Sequence, residues 1–564
     1  MNHILIAEQQ ARELIAQACR RAMAAGALPQ TEPAEPQVEI PKDIKNGDYA
    51  SGFAMQNAKR FALPPRTVAE TVCAHMELEG SLFSSAEVAG PGFINLRLAH
   101  RWFEEVLASI GAEGADYGKS RKERPEKVMV EFVSANPTGP MHMGNARGGV
   151  LGDSLAEVMS RAGDEVTREF YVNDAGHQIE KFGQSIDARY RQLVLGEEAV
   201  EFPEDGYHGD DIREIARRFL DARGTAPMEL TEEERQEELV RFGLEVNIPK
   251  MQADLGRYKI HYDNWFYESE LHKSGYVAET VDELTRRGHT YEQDGALWLR
   301  TSAMGAEKDD VLRRANGFYT YFAADIAYHR NKFEKRGFDR VINIWGADHH
   351  GHVARLQYAL DALGLDGSHR LEIVLMQLVR LMRDGEVVRM SKRTGKAISL
   401  SDLLDEISVD AARYFFNSRA HDTHLEFDLG LAVRRDSENP VYYVQYAHAR
   451  ICSILRALEQ EGICADPAAP DAALLTAEPE LDLIRELSRL PEEIRLAAES
   501  REPSRMNRYA AALAAAFHRF YTECHIKNAA TPELRDARIM LCRRTASVIA
   551  AALSTFGVSA PEHM

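Results

Sequence analysis

The chain has 564 residues, with 68 Lys+Arg against 88 Asp+Glu and a formal charge of −20. Its 45% hydrophobic and 28% charged residues exclude global disorder, and its length calls for three or more domains. The acidic balance excludes a polycationic nucleic-acid coat but leaves room for a basic face on one domain.

Six cysteines at 19, 73, 452, 464, 524 and 542 include no Cys-x-x-Cys pair, which indicates neither a disulfide framework nor a structural zinc site. Glu8, Arg12 and Glu13 interrupt the amino terminus before any apolar run forms, so it does not read as a signal peptide. No long uncharged apolar stretch fits a membrane span, and the expectation is a cytoplasmic protein with no protein-held metal.

In chain order, residues 1–115 read as a small α+β domain. Helical spacing in Gln9–Ala25 is followed by a Pro/Glu-rich loop from Leu28 to Pro41, and Gly90–Leu98 reads as a turn feeding a strand. Gly111–Glu126 reads as a linker. From Lys127 the pattern becomes a strand at Val128–Val133, a helix at Gly144–Ala162 stopped by Gly163, and a strand at Val166–Val172. The alternation returns as a helix at Asp325–Lys335, a strand at Arg340–Trp345, a helix at Val353–Leu363 and an apolar run at Leu371–Met382. Strands alternating with helices predict a parallel sheet with crossovers, here spanning 116–405.

Within that span an acidic insertion is expected at about 186–315. Residues 197–238 alone hold fifteen Asp/Glu and five Arg, which reads as solvated helices. After about residue 405 the pattern is all-helical, with connecting helices at 406–438 and a bundle at 439–564. Asn439-Pro440 and Thr531-Pro532 mark helix starts, and Gly557 marks the last stop. Residues 501–544 hold nine Lys/Arg and four Asp/Glu, a local basic face on an acidic chain.

Two strings carry the chemistry. The first runs from Glu131 to Gly149, reading Glu-Phe-Val-Ser-Ala-Asn-Pro-Thr-Gly-Pro-Met-His-Met-Gly-Asn-Ala-Arg-Gly-Gly, between the first strand and its crossover helix. That is the carboxyl end of a parallel strand, where ligands bind, followed by a helix start suited to phosphate. His142 and Asn145 are three apart and are expected to address one anion from the first helical turn, while Gly144 admits close backbone approach. The second string, Arg389-Met-Ser-Lys-Arg-Thr-Gly-Lys396, is a small-residue loop whose cations suit a departing pyrophosphate.

These strings resemble the HIGH and KMSKS signatures of class I aminoacyl-tRNA synthetases, and nearly the whole chain looks like the arginyl-tRNA synthetase family. Further matches are Tyr171–Gln178, Tyr319–Ala327, Asp410–Tyr414, Asn439–Arg450, Asn46–Ala50 and Gly90–Leu98. The resemblance implies a multidomain α/β protein. Its core would be a Rossmann-like (HUP) parallel sheet, preceded by an extra tRNA D-loop-contacting domain and followed by an all-α DALR-type anticodon-binding bundle. It implies ATP with Mg²⁺, L-arginine and tRNA(Arg) as reactants, usually on a monomer, and activation that requires bound tRNA.

Carried over residue by residue, His142, Asn145 and Lys392 are the catalytic positions, and His142, Gly144, Asn145, Met390, Ser391 and Lys392 the ATP site. Arginine would meet Glu131, Ser134, Ala135, Asn136, Asn145, Tyr321, Asp325 and His349, with Glu131 and Asp325 supplying charge opposite the guanidinium. Tyr321 and Asp325, four apart, would share a helix face. The tRNA would meet Phe93 and Asn95 on one strand, and Tyr442, Tyr446 and Arg450 on the bundle. Helical spacing alone favours a core position for Tyr446.

Three departures stand out. Asn145 replaces the second signature histidine, Arg389 replaces the first lysine of the loop, and His349 stands where glutamine is common. A synthetase of another class I specificity would favour a zinc cluster, a nucleotidyltransferase would end near residue 405, and a non-catalytic scaffold would lack His142 or Lys392. The sequence shows none of these.

Overall fold

A computed structural model describes residues 1–388, 398–463 and 471–564. The amino-terminal part opens with helix α1 (His3–Ala24), whose start is capped by the Asn2 side chain. It packs with a three-stranded antiparallel sheet in the order β1 (Tyr49–Ser51), β3 (Phe93–Leu98), β2 (Phe83–Ala89). The expected linker begins later than 111, because Gly111–Glu113 complete the helix His100–Glu113.

The core is a five-stranded sheet, parallel throughout. Its strands are β4 (Lys127–Glu131), β5 (Glu165–Val172), β6 (Asn264–Tyr267), β10 (Arg340–Gly346) and β11 (Leu371–Met376), in the order β11-β10-β4-β5-β6. Helix α2 (Gly144–Arg161) crosses from β4 to β5. Gly152 lets it lie close to the sheet, since a Cβ there would stand 2.1 Å from the Phe132 ring.

Strand β4 stops at Glu131 rather than Val133. Val133 and Ser134 are successive non-glycine residues at φ 69° and 43°. A β-branched residue in the left-handed region is strained, and such strain collects at functional sites.

The acidic insertion is not one uninterrupted graft, because β6 returns to the core sheet from within it. Helices α3 (His177–Leu195), α4 (Asp210–Arg223) and α5 (Glu232–Arg257) share a small core of their own around Phe182, Tyr190 and Phe219. A second antiparallel sheet follows, made by β7 (Thr290–Gln293), β8 (Ala296–Leu299) and β9 (Asp310–Arg313). Helix α6 (Tyr321–Arg330) starts four residues before the predicted Asp325, capped by Thr320, and passes into a π-helical turn at Asn331–Lys335. Helix α7 (His350–Ala362) follows β10.

The apolar run at 371–382 divides into β11 and β12 (Val379–Arg383), which belong to different sheets. Nor is the chain purely helical after 405, since β14 (Leu425–Asp428) pairs in parallel with β12. Leu425 and Phe427 point inward while Glu426 and Asp428 point to solvent, a period-two pattern that decides for strand. The carboxyl-terminal bundle contains α8 (Pro440–Gln460), α9 (Ser504–Glu523) and α10 (Pro532–Ser554). Fully buried Arg413 fastens it to the core, donating to the Phe556 and Tyr258 carbonyls and to Asp153 on α2.

Candidate active site

Strand register places Asn343, Glu131, Glu169 and Asn264 side by side across β10, β4, β5 and β6. Two carboxylates in that buried row need compensation, and the π-helical turn after α6 delivers it. Lys332 Nζ, fully buried, lies 2.5 Å from Glu131 Oε2 and 3.3 Å from Asn343 Oδ1. Arg336 Nη2 donates to Glu169 Oε1 at 2.9 Å, while Tyr328 and Asn264 donate to the same carboxylate.

Burial disfavours the charge on Glu169, but Arg336 and Lys332 outweigh it and hold its carboxyl below the usual range. Burial also lowers Lys332, against the pull of Glu131. His329 is pushed well below its ordinary value by burial and by the nearby Lys332 cation. Two acids and two bases therefore leave this floor electrically neutral.

Above the floor is a cavity of about 300 Å³ lined by Glu131, Ser134, Asp325 and His349, together with Tyr171 and His352. It brings together four of the eight residues expected to hold arginine. Glu131 does not supply the free charge expected of it, because Lys332 already neutralises it. Ser134 is also engaged, donating to Glu131 Oε1 at 3.0 Å and accepting from the Tyr171 N–H at 3.1 Å, which pins the strained turn.

Asp325 is met by a histidine: its Oδ2 lies 2.7 Å from His352 Nε2 and its side chain is about one-third exposed. Tyr321 lines a neighbouring cavity of about 820 Å³ on the same helix, with its ring half exposed and its hydroxyl accepting from the His177 N–H at 3.0 Å. Glu268, which sequence reasoning passed over, is buried in that second wall. It is met by His272 at 3.3 Å, by Asn173 and by the Tyr171 hydroxyl. Burial and the charges of Glu268 and Asp325 push the Tyr171 phenol well above its usual value, so it remains a donor. Among the described residues, neither Asp325 nor Glu268 is ion-paired with a lysine or arginine. Ala135 and Asn136 line neither cavity, and the Asn136 amide instead donates to Gln178.

The nucleotide candidates sit beyond the strained turn. Helix α2 begins at Gly144, so Asn145 lies in its first turn, at the positive end of the helix, where the Asn145 and Ala146 N–H groups donate to the His142 and Met143 carbonyls. His142 does not share that turn. It precedes the helix, bridges to Ser399, and accepts from the Gly144 N–H at 3.0 Å through Nδ1. It lines a cavity of about 200 Å³ with Val379, Leu381 and Ile398. Met390, Ser391 and Lys392 lie outside the described residues. Among the described residues no group of three His, Cys, Asp or Glu is arranged to hold a metal ion.

Of the candidate RNA contacts, Phe93 is half-buried and Asn95 buried, both on one face of β3. Tyr446 is not core. It is 37% exposed, stacks between Tyr442 and His518 at 6.1 and 6.2 Å, and receives a hydrogen bond from Arg450. Arg450 also lies over the Tyr521 ring at 5.0 Å.

Three family profiles match consecutive parts of the chain. They are an arginyl tRNA synthetase N terminal domain at residues 9–98, a class I (R) tRNA synthetase catalytic domain at 106–428 and a DALR anticodon binding domain at 444–564. An arginine–tRNA ligase from Acetivibrio thermocellus is 51% identical over 558 residues, covering 99% of both chains. One from Caldanaerobacter subterraneus is 50% identical over 564 residues, covering 100% of both. A putative arginyl tRNA synthetase structure from Campylobacter jejuni superposes with a TM-score of 0.75 at 36% identity, covering 83% of this chain and all of that one. The Thermus thermophilus arginyl-tRNA synthetase structure, at 23% identity and TM-score 0.73, covers 99% of this chain and all of its own and shares the fold.

Proposed function

The chain belongs to the arginyl-tRNA synthetase family, and from that premise we infer how its own residues carry the reaction. It is an arginine–tRNA ligase, which activates L-arginine with ATP and transfers it to the terminal adenosine of tRNA(Arg). The observation that supports the residue assignment is the charge pattern of the two neighbouring cavities. Their floor is neutral, while the walls keep two carboxylates whose partners are histidines and hydrogen-bond donors.

A planar cation with five donors is the complement of such a site. Asp325, Glu268 and Tyr321 take the guanidinium, and Ser134 and His349 face the rest of the amino acid. The arginine carboxylate then attacks the α-phosphate in line, forming arginyl-adenylate and releasing pyrophosphate. The positive end of α2 with the Asn145 and His142 side chains faces the phosphates, and Lys392, with Met390 and Ser391, steadies the departing pyrophosphate. Asn145 cannot carry charge, so its part is positioning. Mg²⁺ would accompany the nucleotide and would supply positive charge opposite its phosphates. In the second step a ribose hydroxyl of the terminal adenosine, the 2′-OH by class I analogy, attacks the carbonyl and AMP leaves.

Phe93 and Asn95 face the D-loop, and the Tyr442–Tyr446–His518 stack with Arg450 receives unstacked anticodon bases. Stacked, half-exposed rings beside a guanidinium support that reading. The protein acts as a cytoplasmic monomer on this reading. The proposed domain limits are 1–115, 116–428 and 439–564, because the strand Leu425–Asp428 joins the expected connecting segment 406–438 to β12.

The test is aminoacylation of tRNA(Arg) with arginine against citrulline, its neutral isostere. The reading requires strong rejection of citrulline, and comparable use of both would sink it.

A further inference from the structure

The mechanism gives Asp325 a charge to offer and says nothing of what keeps that charge free and aimed. His352 lies on α7 directly behind it, 15% exposed, between the Phe322 and Trp345 rings at 5.6 Å from each. Its Nε2 is 2.7 Å from Asp325 Oδ2, and its Nδ1 is 2.7 Å from Arg355 Nε. A guanidinium N–H only donates, so Nδ1 must accept and the single imidazole proton must sit on Nε2, pointing at Asp325.

Arg355 in turn donates to Asp310 Oδ1 at 2.9 Å, and Thr301 donates to Asp310 Oδ2 at 3.1 Å. The arginine is thus balanced by its own carboxylate and lends no net charge to the cavity. Its guanidinium also lies over the Phe322 ring at 5.0 Å, which fixes its plane.

We propose that His352 is a positioning and specificity residue for arginine: a neutral bridge, locked in one tautomer by Arg355, that holds one oxygen of Asp325 and leaves the carboxylate fully charged for the substrate guanidinium. This rests on the assignment of Asp325 to the guanidinium. A protonated His352 would instead be a resident cation competing with substrate, as Lys332 is for Glu131. Arg355 blocks that state by occupying the nitrogen a second proton would need. The other titratable groups around His352 are His329 and Asp325 on α6, His349 at the head of α7, and Asp310 on β9.

The experiment measures steady-state aminoacylation by the full chain at saturating tRNA(Arg), with arginine and ATP varied. The variants are His352→Leu, His352→Gln, Arg355→Met and Asp325→Asn. Losing one hydrogen bond to a charged acceptor predicts a rise in arginine KM of at least about tenfold in His352→Leu, with the ATP KM moved by less than about twofold. Glutamine can both accept from Arg355 and donate to Asp325, so His352→Gln stays within about threefold of wild type.

In Arg355→Met the donor that fixes the imidazole tautomer is gone, so the arginine KM rises toward that of His352→Leu with the ATP KM little changed. A merely structural role would move the arginine and ATP KM values together and would not be rescued by glutamine. If His352→Leu or Arg355→Met keeps the parental arginine KM, the bridge is wrong even where Asp325→Asn raises it. If Asp325→Asn also leaves it unmoved, the guanidinium assignment itself fails.

Discussion

The floor and the walls at the carboxyl end of the parallel sheet both carry carboxylates, and the fold treats them in opposite ways. On the floor, Glu131 and Glu169 are buried and matched by Lys332 and Arg336, so their charge is spent inside the protein. On the wall, Asp325 and Glu268 are met by histidines, a tyrosine and an amide, which orient a carboxylate without supplying a permanent cation. Removing one partner of a buried ion pair leaves an uncompensated charge in low dielectric, so the floor is set for stability. On the proposed assignment, a wall carboxylate held only by hydrogen-bond donors takes the substrate cation. Carboxylates then do two jobs in one region of the fold, and the partner decides which.

The contrast can be broken most sharply at Lys332. Lys332→Met strands Glu131 and should cost about 3–5 kcal/mol of stability by urea unfolding, with most of it recovered when Glu131 is also made apolar. A loss below about 1 kcal/mol would put the floor in the same class as the wall.

Next in size is Asp325→Asn, which should raise the arginine KM about a hundredfold by removing the charge opposite a guanidinium, with little change in unfolding or in the ATP KM. Glu268→Gln should act in the same direction by about tenfold, because three donors already share its charge. If the two effects fall on the ATP KM instead, the wall is serving the nucleotide.

The smallest effect is on pH. Burial and Lys332 hold His329 below its unfolded value, so under about pH 6.5 the unfolded chain binds a proton that the folded chain refuses. Stability should fall as pH drops through that window, by up to about 1 kcal/mol per unit, and His329→Gln should flatten part of the slope.

Much of this was legible in the chain. The alternation of strands and helices from Lys127 onward gave the parallel sheet, and the Glu131–Gly149 string gave the strand end where the cavity lies. Asp325 came from the family resemblance, and the structure sets it on the cavity wall, on the helix that also bears Tyr321.

What escaped was set by register and partners. Glu131 and Glu169 become neighbours only through strand pairing, which no local pattern encodes. Lys332 was readable in part, since Asp325, His329, Lys332 and Arg336 repeat at intervals of four, three and four, an unusual polar stripe on a buried helix. The π-helical turn that seats Lys332 was not. Glu268 lies in the 186–315 insertion, outside both signature strings, where no motif or spacing marks it. Tyr446 was placed in the core by its spacing, whereas His518 and Tyr442 hold it at the surface. Val133 and Ser134 continued an apolar strand pattern until the backbone reversed.

The most direct measurement is a crystal structure of the protein with bound arginine. The account predicts the guanidinium within hydrogen-bonding distance of Asp325 and Glu268, with the Lys332–Glu131 pair intact beneath it and His352 still bridging to Arg355. A guanidinium seated on Glu131 with Lys332 displaced, or one that leaves Asp325 and Glu268 facing solvent, would contradict it.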